Sequence, residues 1–202
     1  MTSYVDTRLR FPVDLGLKYK FYDWGHATTI LKYDFPSQFD DIVDTLRDFS
    51  VLRSQIEVGG GGKSSVSSFI DKRLYQRGWE EKQFKITVNI DETAHDTPTH
   101  KVDCVKHRVA LDVEWNNKTE FFDRDLNNFR LLHNLRAISI GIIITRSSSL
   151  QTVFNSLGIG NKYGASTTHF DKLLPKIEGS GAGGCPILVI GIEPDAYVDD
   201  VP

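Results

Sequence analysis

The sequence contains few cysteines and no long apolar run. Cys104 and Cys185 are its two cysteines, and two thiols cannot form the disulfide framework of a small secreted domain. Both lie in predicted strands, where a free thiol packs as a small hydrophobic group. No stretch of about 18 apolar residues occurs, so we expect no membrane-spanning helix. Residues 1–6 also lack the basic-then-apolar pattern of a secretory signal peptide, and these absences together predict a cytoplasmic protein.

A strong positive charge is also absent, because the formal net charge is −3. This argues mildly against a nucleic-acid-binding protein, since such proteins favour basic surfaces. It does not exclude one, because carboxylates elsewhere can mask a local basic cleft. Any nucleic-acid binding is expected to be salt-sensitive and to use a limited set of Lys and Arg contacts.

The length and apolar content suit one domain with its own core. The chain has 202 residues, of which 40% are hydrophobic and 25% charged, values that are ordinary for a globular protein. Apolar periodicity predicts an α/β fold. The predicted strands cover residues 18–24, 30–35, 84–90, 102–115, 137–145 and 185–192, and the predicted helices cover residues 37–46, 66–77, 123–135 and 170–177. Residues 193–202 are expected to form a frayed acidic tail.

The stretch 102–115 carries the acids that suggest chemistry. Read as one strand, it alternates so that Asp112 and Glu114 share a face, and Asp103 lies upstream on the same stretch. Adjacent carboxylates repel, and a hard cation such as Mg²⁺ relieves the repulsion. The spacing is therefore compatible with a Mg²⁺-dependent phosphodiester-cleaving centre. It is equally compatible with a half-buried amphipathic strand whose polar face meets solvent.

A family resemblance favours the catalytic interpretation. The pattern Asp103-x8-Asp112-x-Glu114 resembles the active-site signature of PD-(D/E)xK type II restriction endonucleases, and most closely their BglII/BstYI branch. Further segments resemble that branch in the same order, namely Gly78-Trp79, residues 141–146, Asn155-Ser156 and residues 186–191. The resemblance covers roughly residues 65–192 as a catalytic core and leaves residues 1–64 as a divergent N-terminal part of the single domain. Two positions depart from close relatives, which carry Glu at 112 and Gln at 114.

The resemblance implies a fold and a chemistry. The fold would be a restriction-endonuclease-like core with a central mixed β-sheet flanked by helices. The protein would be a homodimer in a prokaryotic cytoplasm, cutting double-stranded DNA at a short palindromic site within a restriction–modification system. Asp103, Asp112 and the carbonyl of Val113 would hold Mg²⁺, and Glu114 would orient or help deprotonate the attacking water. Glu81 is a candidate for an additional acid near the metal, or else a solvated acid at a helix end.

Candidate DNA contacts lie in three polar segments. Lys63 and Ser64 follow a glycine run at the start of a predicted helix, a place that suits a phosphate, although a plain flexible loop fits equally well. A nucleotide-binding P-loop is not predicted, because Glu57 stands where its first glycine is needed. Asn117 occupies a turn whose position matches a base-reading loop of the resembled family, and ordinary turn chemistry explains it equally well.

The third polar segment, residues 146–168, is long enough to suggest a function. Arg146 suits guanine or a phosphate, and Lys162 suits the DNA backbone. Asn155 and Ser156 match base-contacting positions of the resembled family.

Other classes of function remain open from the sequence. His95, His100 and His107 fit no compact zinc-ligand spacing. A structure-specific PD-(D/E)xK repair nuclease is one alternative, although the long polar segment favours sequence readout. A non-catalytic DNA-binding protein on the same scaffold is another, although three retained acids argue against it.

Overall fold

A six-stranded mixed sheet forms the centre of the protein, which is described by a computed structural model for residues 11–58, 62–96, 99–164 and 166–201. In spatial order, its strands are β1 (Tyr19–Trp24), β9 (Ile187–Ile192), β8 (Ile140–Arg146), β7 (Val109–Glu114), β6 (Lys101–Lys106) and β3 (Glu80–Gln83). Strands β7, β8 and β9 run parallel, and the outer pairings are antiparallel. The sheet confirms the predicted α/β architecture.

Helices cover both faces of the sheet. They are α1 (Ala27–Asp34), α2 (Pro36–Asp48), α3 (Arg53–Glu57), α4 (Ser65–Tyr75), α5 (Glu120–Asn134), α6 (Gln151–Ser156) and α7 (Phe170–Glu178), with 3₁₀ turns at Val13–Leu15, Gly160–Tyr163 and Pro194–Ala196. Two small sheets accompany the main one: β2 (Val51–Leu52) pairs with β10 (Tyr197–Val198), and β4 (Thr87–Ile90) pairs with β5 (Thr93–Asp96). Within the described ranges, none of the helices has the length and apolarity that crossing a membrane requires.

Each face of the sheet has its own apolar cluster. Leu111 and Ile142 pack with buried residues of α1, α2 and α4 on one face. Ala110 and Ile143 pack with α5 and α7 on the other. Successive residues of a strand point to opposite faces, so one continuous apolar run supplies both clusters. This burial on both sides is typical of parallel strands.

The stretch 102–115 is a hairpin, and the prediction of one continuous strand was wrong. β6 ends at Lys106 and β7 begins at Val109, with a tight turn between them. His107 adopts a left-handed backbone with φ +53°, which turns the chain sharply within two polar residues. The alternation from Val109 onward is as predicted, because Val109, Leu111 and Val113 join one cluster while Ala110 joins the other.

Three other predicted segments differ from the structure. Residues 30–34 are helical within α1, which follows Gly25 and His26, both with positive φ, and Phe35 is the C-cap of that helix. Residues 84–90 contribute only β4, whose partner is β5 rather than the central sheet. Residues 193–202 are not frayed over their described part, because β10 pairs with β2 and Asp200 accepts a hydrogen bond from Ser54 N–H at 2.9 Å.

The fold depends on close packing at Gly141, where we expect Gly141→Ala to destabilise the protein by about 1–3 kcal/mol. An added Cβ would lie 2.4 Å from a ring carbon of Phe129 and 2.9 Å from Cδ1 of Ile187. Urea unfolding measures the change. The control is Gly184→Ala, whose Cβ would meet nothing within 4 Å and which should change stability by less than about 0.5 kcal/mol. Equal effects of the two substitutions would contradict the packing argument.

Candidate functional site

A cleft of about 650 Å³ opens where β7 ends and α4 begins. Among the residues predicted from the sequence, those that line it are Lys63, Ser64, Glu81, Asp103, Val113, Glu114, Asn117 and Lys162. They come from β3, β6, β7, the start of α4 and two loops. The fold thus gathers residues that are up to 99 positions apart in sequence, from Lys63 to Lys162, around one opening.

Asp103 and Asp112 face each other across the β6–β7 hairpin. The backbone register of the two strands ends at the pair Cys104–Leu111, and the two acids occupy the next positions. There, the N–H of Asp103 donates to Oδ1 of Asp112 at 2.8 Å, and the N–H of Val113 donates to Oδ2 of Asp103 at 3.0 Å. These reciprocal bonds take the place of ladder bonds, so both carboxylates are held by backbone groups.

Asp112 is buried behind the cleft. The residue is 3% exposed, and its Oδ2 has no hydrogen-bond partner among the described residues. Burial raises the pKa of Asp112 well above its usual range, and the negative charges of Asp125 and Asp103 raise it further. A buried carboxylate oxygen without a partner is costly, and a hard cation would relieve that cost.

These residues fit a divalent ion in part. Two carboxylates and a backbone carbonyl, from Asp103, Asp112 and Val113, are the oxygen ligands that such an ion prefers. Within the described residues, no three acidic, histidine or cysteine side chains already converge as a metal site. The third predicted acid, Glu114, is engaged elsewhere. The unpartnered Oδ2 of Asp112 is the feature that fits the ion.

Glu114 is held at the cleft wall by two donors. Its Oε2 accepts a hydrogen bond from Nδ2 of Asn117 at 2.6 Å, and its Oε1 lies 3.2 Å from a guanidinium nitrogen of Arg124. Burial, followed by the negative charge of Asp125, raises the pKa of Glu114 to about 9. The side chain is therefore fixed in place and holds its proton more tightly than an exposed glutamate.

The sequence analysis missed Arg124 and Asp125. Asp125 on α5 is 2% exposed, and its Oδ1 accepts a hydrogen bond from Nε of Arg124 at 2.9 Å. The helical periodicity of the sequence could have identified Asp125, because it lies three residues after Phe122 and one before Leu126 on the inward face of the helix. An acid on such a face must have a partner or a function.

Asp71 is a second acid that the sequence analysis missed. It lies on α4 and is 2% exposed, forms an ion pair with Lys63, and accepts from the thiol of Cys104 at 3.5 Å. Burial raises its pKa despite the lysine. Nζ of Lys63 also lies 3.8 Å from Oδ1 of Asp103. Lys63 thus links this buried acid to the acids of the hairpin.

The remaining cleft residues have simpler environments. Oγ of Ser64 caps α4 by accepting the N–H of Ser67 at 3.0 Å. Glu81 has a side chain 44% exposed and pairs with Lys101 at 2.7 Å. Nζ of Lys162 donates to the carbonyl of Ile56 at 2.9 Å and also to that of Val58. The three glycines at 59–61 lie outside the described residues.

Two of the other candidate DNA contacts lie beside a second cavity. Arg146 and Asn155 line this space of about 390 Å³. Ser156 lines neither cavity and donates its hydroxyl to the carbonyl of Val153 at 2.9 Å. Tyr163 lines both cavities, and its ring stacks on Phe154 with centroids 3.8 Å apart. The two cavities are neighbours that share this aromatic wall.

Comparison with known proteins supplies a family. The family model described as restriction endonuclease BglII/BglIII matches residues 19–192, which are 174 of the 202 residues. The matched span runs from the first residue of β1 to the last residue of β9 and so includes every strand of the central sheet. No curated protein matches the chain.

Proposed function

The chain belongs to the BglII/BglIII restriction endonuclease family, and from this premise we propose that it cuts double-stranded DNA at a short palindromic site with Mg²⁺ as its metal ion. Membership makes the protein a DNA-hydrolysing type II restriction endonuclease with a restriction-endonuclease-like fold. Such enzymes generally use divalent metal ions. A place in a restriction–modification system of a prokaryotic cytoplasm is part of the proposal and rests on the family.

The observation that carries the proposal is the pair of acids on the β6–β7 hairpin. The carboxylates of Asp112 and Asp103 each accept a hydrogen bond from a backbone N–H of the opposite strand, at 2.8 and 3.0 Å. One oxygen of Asp112 has no hydrogen-bond partner in the part of the chain that the structure describes. With the carbonyl of Val113, they are the residues that would hold the ion. A divalent ion bound there would polarise the scissile phosphate and lower the pKa of the attacking water.

Glu114 has a separate role in this proposal. It stands where most of the resembled superfamily carries lysine, and Asn117 and Arg124 fix both of its carboxyl oxygens. Its pKa is raised to about 9, so Glu114 keeps its proton near neutral pH. In this protonated form Glu114 would orient the attacking water, and it would help to deprotonate that water only after losing its own proton.

The proposed DNA contacts divide between two places. Lys63, Ser64, Asn117 and Lys162 line the acidic cleft, where they would contact the strand being cut, and Glu81 would supply an additional acid there. Arg146, Asn155 and the exposed Ser156 lie around α6, where they would contact DNA beyond the cleavage position.

A homodimer would match the two-fold symmetry of a palindromic site. Sedimentation equilibrium tests this part of the proposal, and finding only monomers, both with and without DNA, would contradict it.

The direct test is digestion of a plasmid of known sequence. The wild-type protein with Mg²⁺ should give discrete fragments whose ends map to one short sequence, whereas Asp103→Ala should give none. The variant should remain folded, because Asp103 lies at the rim of the cleft and its side chain is 29% exposed.

Three results would change the proposal. A smear of fragments would favour a structure-specific nuclease, and DNA binding without cleavage in Mg²⁺ or Mn²⁺ would favour a non-catalytic DNA-binding protein. Full cleavage by folded Asp103→Ala would remove Asp103 from the centre.

A further inference from the structure

The second cavity contains a buried arginine whose hydrogen-bond partners are all uncharged. Arg146 ends β8 and is 1% exposed. Its guanidinium donates to the carbonyl of Tyr163 at 3.0 Å, to Oγ1 of Thr167 at 3.0 Å and to Oε1 of Gln151 at 3.4 Å. Its Nε has no partner among the described residues. The donor capacity of this side chain is thus only partly used.

Among the described residues, the charge of Arg146 has no counter-ion. Within the described part of the chain, no carboxylate forms an ion pair with it, and burial lowers its pKa to about 10. The rings of Phe154 and Tyr163 lie 5.7 and 6.0 Å from the guanidinium carbon, which offsets part of the cost of burial. A buried charge is normally paired or bound to a ligand of opposite sign.

Other groups around the cavity also favour an anion. His169 lines it and has a buried Nδ1 without a partner in the described residues. His169 is also the N-cap of the nine-residue helix α7 and makes no side-chain cap bond, so the positive end of the helix dipole lies at this wall. Asp171 is the one acid in the first turn of α7, and it is engaged by Ser148 and by Lys20.

We propose that this cavity is an oxyanion site that takes a phosphate group, with Arg146 supplying the charge and Asn155 and His169 supplying further donors. The volume of about 390 Å³ holds a phosphate group comfortably. The group can come from free phosphate or from the backbone of bound DNA, and this second source rests on the proposed function. The site is distinct from the acidic cleft, so its occupation does not depend on hydrolysis by Asp103 and Asp112.

The test is titration of the DNA-free protein with inorganic phosphate by calorimetry, against chloride at matched ionic strength. We expect one saturable site per chain in the wild type. The midpoint temperature of thermal unfolding should rise with phosphate concentration, because a ligand that binds only the folded state stabilises it. Asn155→Asp should weaken binding at least about tenfold, because it places a like charge in the cavity. The substitution keeps an acceptor for Nε2 of Gln151, which now bonds Oδ1 of Asn155 at 3.1 Å.

The matched control is Thr152→Asp, which adds the same charge to an exposed position of α6 away from the cavity lining. It should bind phosphate as the wild type does, whereas Arg146→Gln should lose the site. Phosphate stabilises many proteins without binding them. An equal thermal shift in all four proteins, or no saturable heat with the wild type, would therefore overturn the proposal.

A second arm identifies the source of the phosphate group. Duplex DNA is titrated in chelator at several salt concentrations. If the cavity holds a backbone phosphate, the slope of log affinity against log salt should fall by about one in Asn155→Asp. If it holds free phosphate, the slope should match that of Thr152→Asp. Phosphate binding to the DNA-free protein is measured first, so that the DNA result identifies only the source of the group. Every variant keeps the acids of the cleft, so a failure of the phosphate site would not be a failure of the proposed cleavage centre.

Discussion

Asp112→Asn is expected to abolish DNA cleavage while it stabilises the folded protein. The loss of rate should be on the order of 10³-fold or more, as for removal of one preorganised electrostatic group at a reacting centre. The gain in stability should be about 1–2 kcal/mol, because the substitution removes a buried carboxylate whose Oδ2 has no partner among the residues that the structure describes. Asparagine keeps the acceptor for the N–H of Asp103, which donates to Oδ1 at 2.8 Å.

Two measurements on the same samples check both halves of this prediction. Initial cleavage rates on plasmid DNA give the first, and urea unfolding in the presence of chelator gives the second. The control is Asp123→Asn, the same exchange at a side chain that is 56% exposed and paired with Lys176; it should leave both quantities close to wild type. An inactive Asp112→Asn that is also destabilised would mean that Asp112 is only structural.

Without divalent ions, the protein is expected to lose stability steadily as the pH rises from about 7 to 8.5. Burial and neighbouring acids raise the pKa of Glu114 to about 9 and raise those of Asp112 and Asp125. An acid with a raised folded-state pKa keeps its proton when the unfolded chain has already lost it. Its contribution is complete below the unfolded pKa and disappears as the pH rises through the folded pKa, by about 1.4 kcal/mol per pH unit for each proton retained.

The chosen window isolates this effect. Below about pH 6.5, the half-buried His169, whose pKa is lowered by desolvation, would oppose the trend, and above pH 9 the buried thiols would add to it. Urea midpoints at four pH values in chelator give the slope. Glu114→Gln should make the slope shallower, because Asp112 and Asp125 keep contributing, and the exposed Glu120→Gln should leave it unchanged. A wild-type slope of zero would show that these acids are ionised in the folded protein.

The central strands were predictable because their signal is local. Residues 140–146 and 187–192 are apolar almost without interruption, and such runs predict strands covered on both faces. The alternation along residues 109–114 correctly placed Val113 opposite to Asp112. The strand prediction for residues 30–35 was wrong because Leu31, Tyr33 and Phe35 recur at every second position, as the residues on one face of a strand do. The structure buries Leu31 in a helix and leaves Tyr33 73% exposed.

The candidate site was only partly predictable, because long-range contacts create it. On a single strand, Asp103 and Asp112 would be about 30 Å apart, at roughly 3.3 Å per residue. The turn at His107, with φ +53°, brings the two acids together. The apolar periodicity of the sequence does not predict that turn. Asp71 and Asp125 reach the hairpin from two separate helices. Their partners are fixed by tertiary packing, which a sequence pattern does not encode.

The two cavities share an aromatic residue of their walls. The ring of Tyr163 borders both spaces and meets Trp115 edge-on, with centroids 6.2 Å apart. Trp115 directly follows Glu114 in the chain. Tyr163 is therefore common to the lining of the compartment of the arginine and the compartment of the acids. A substitution at Tyr163 would change the wall of both compartments at once.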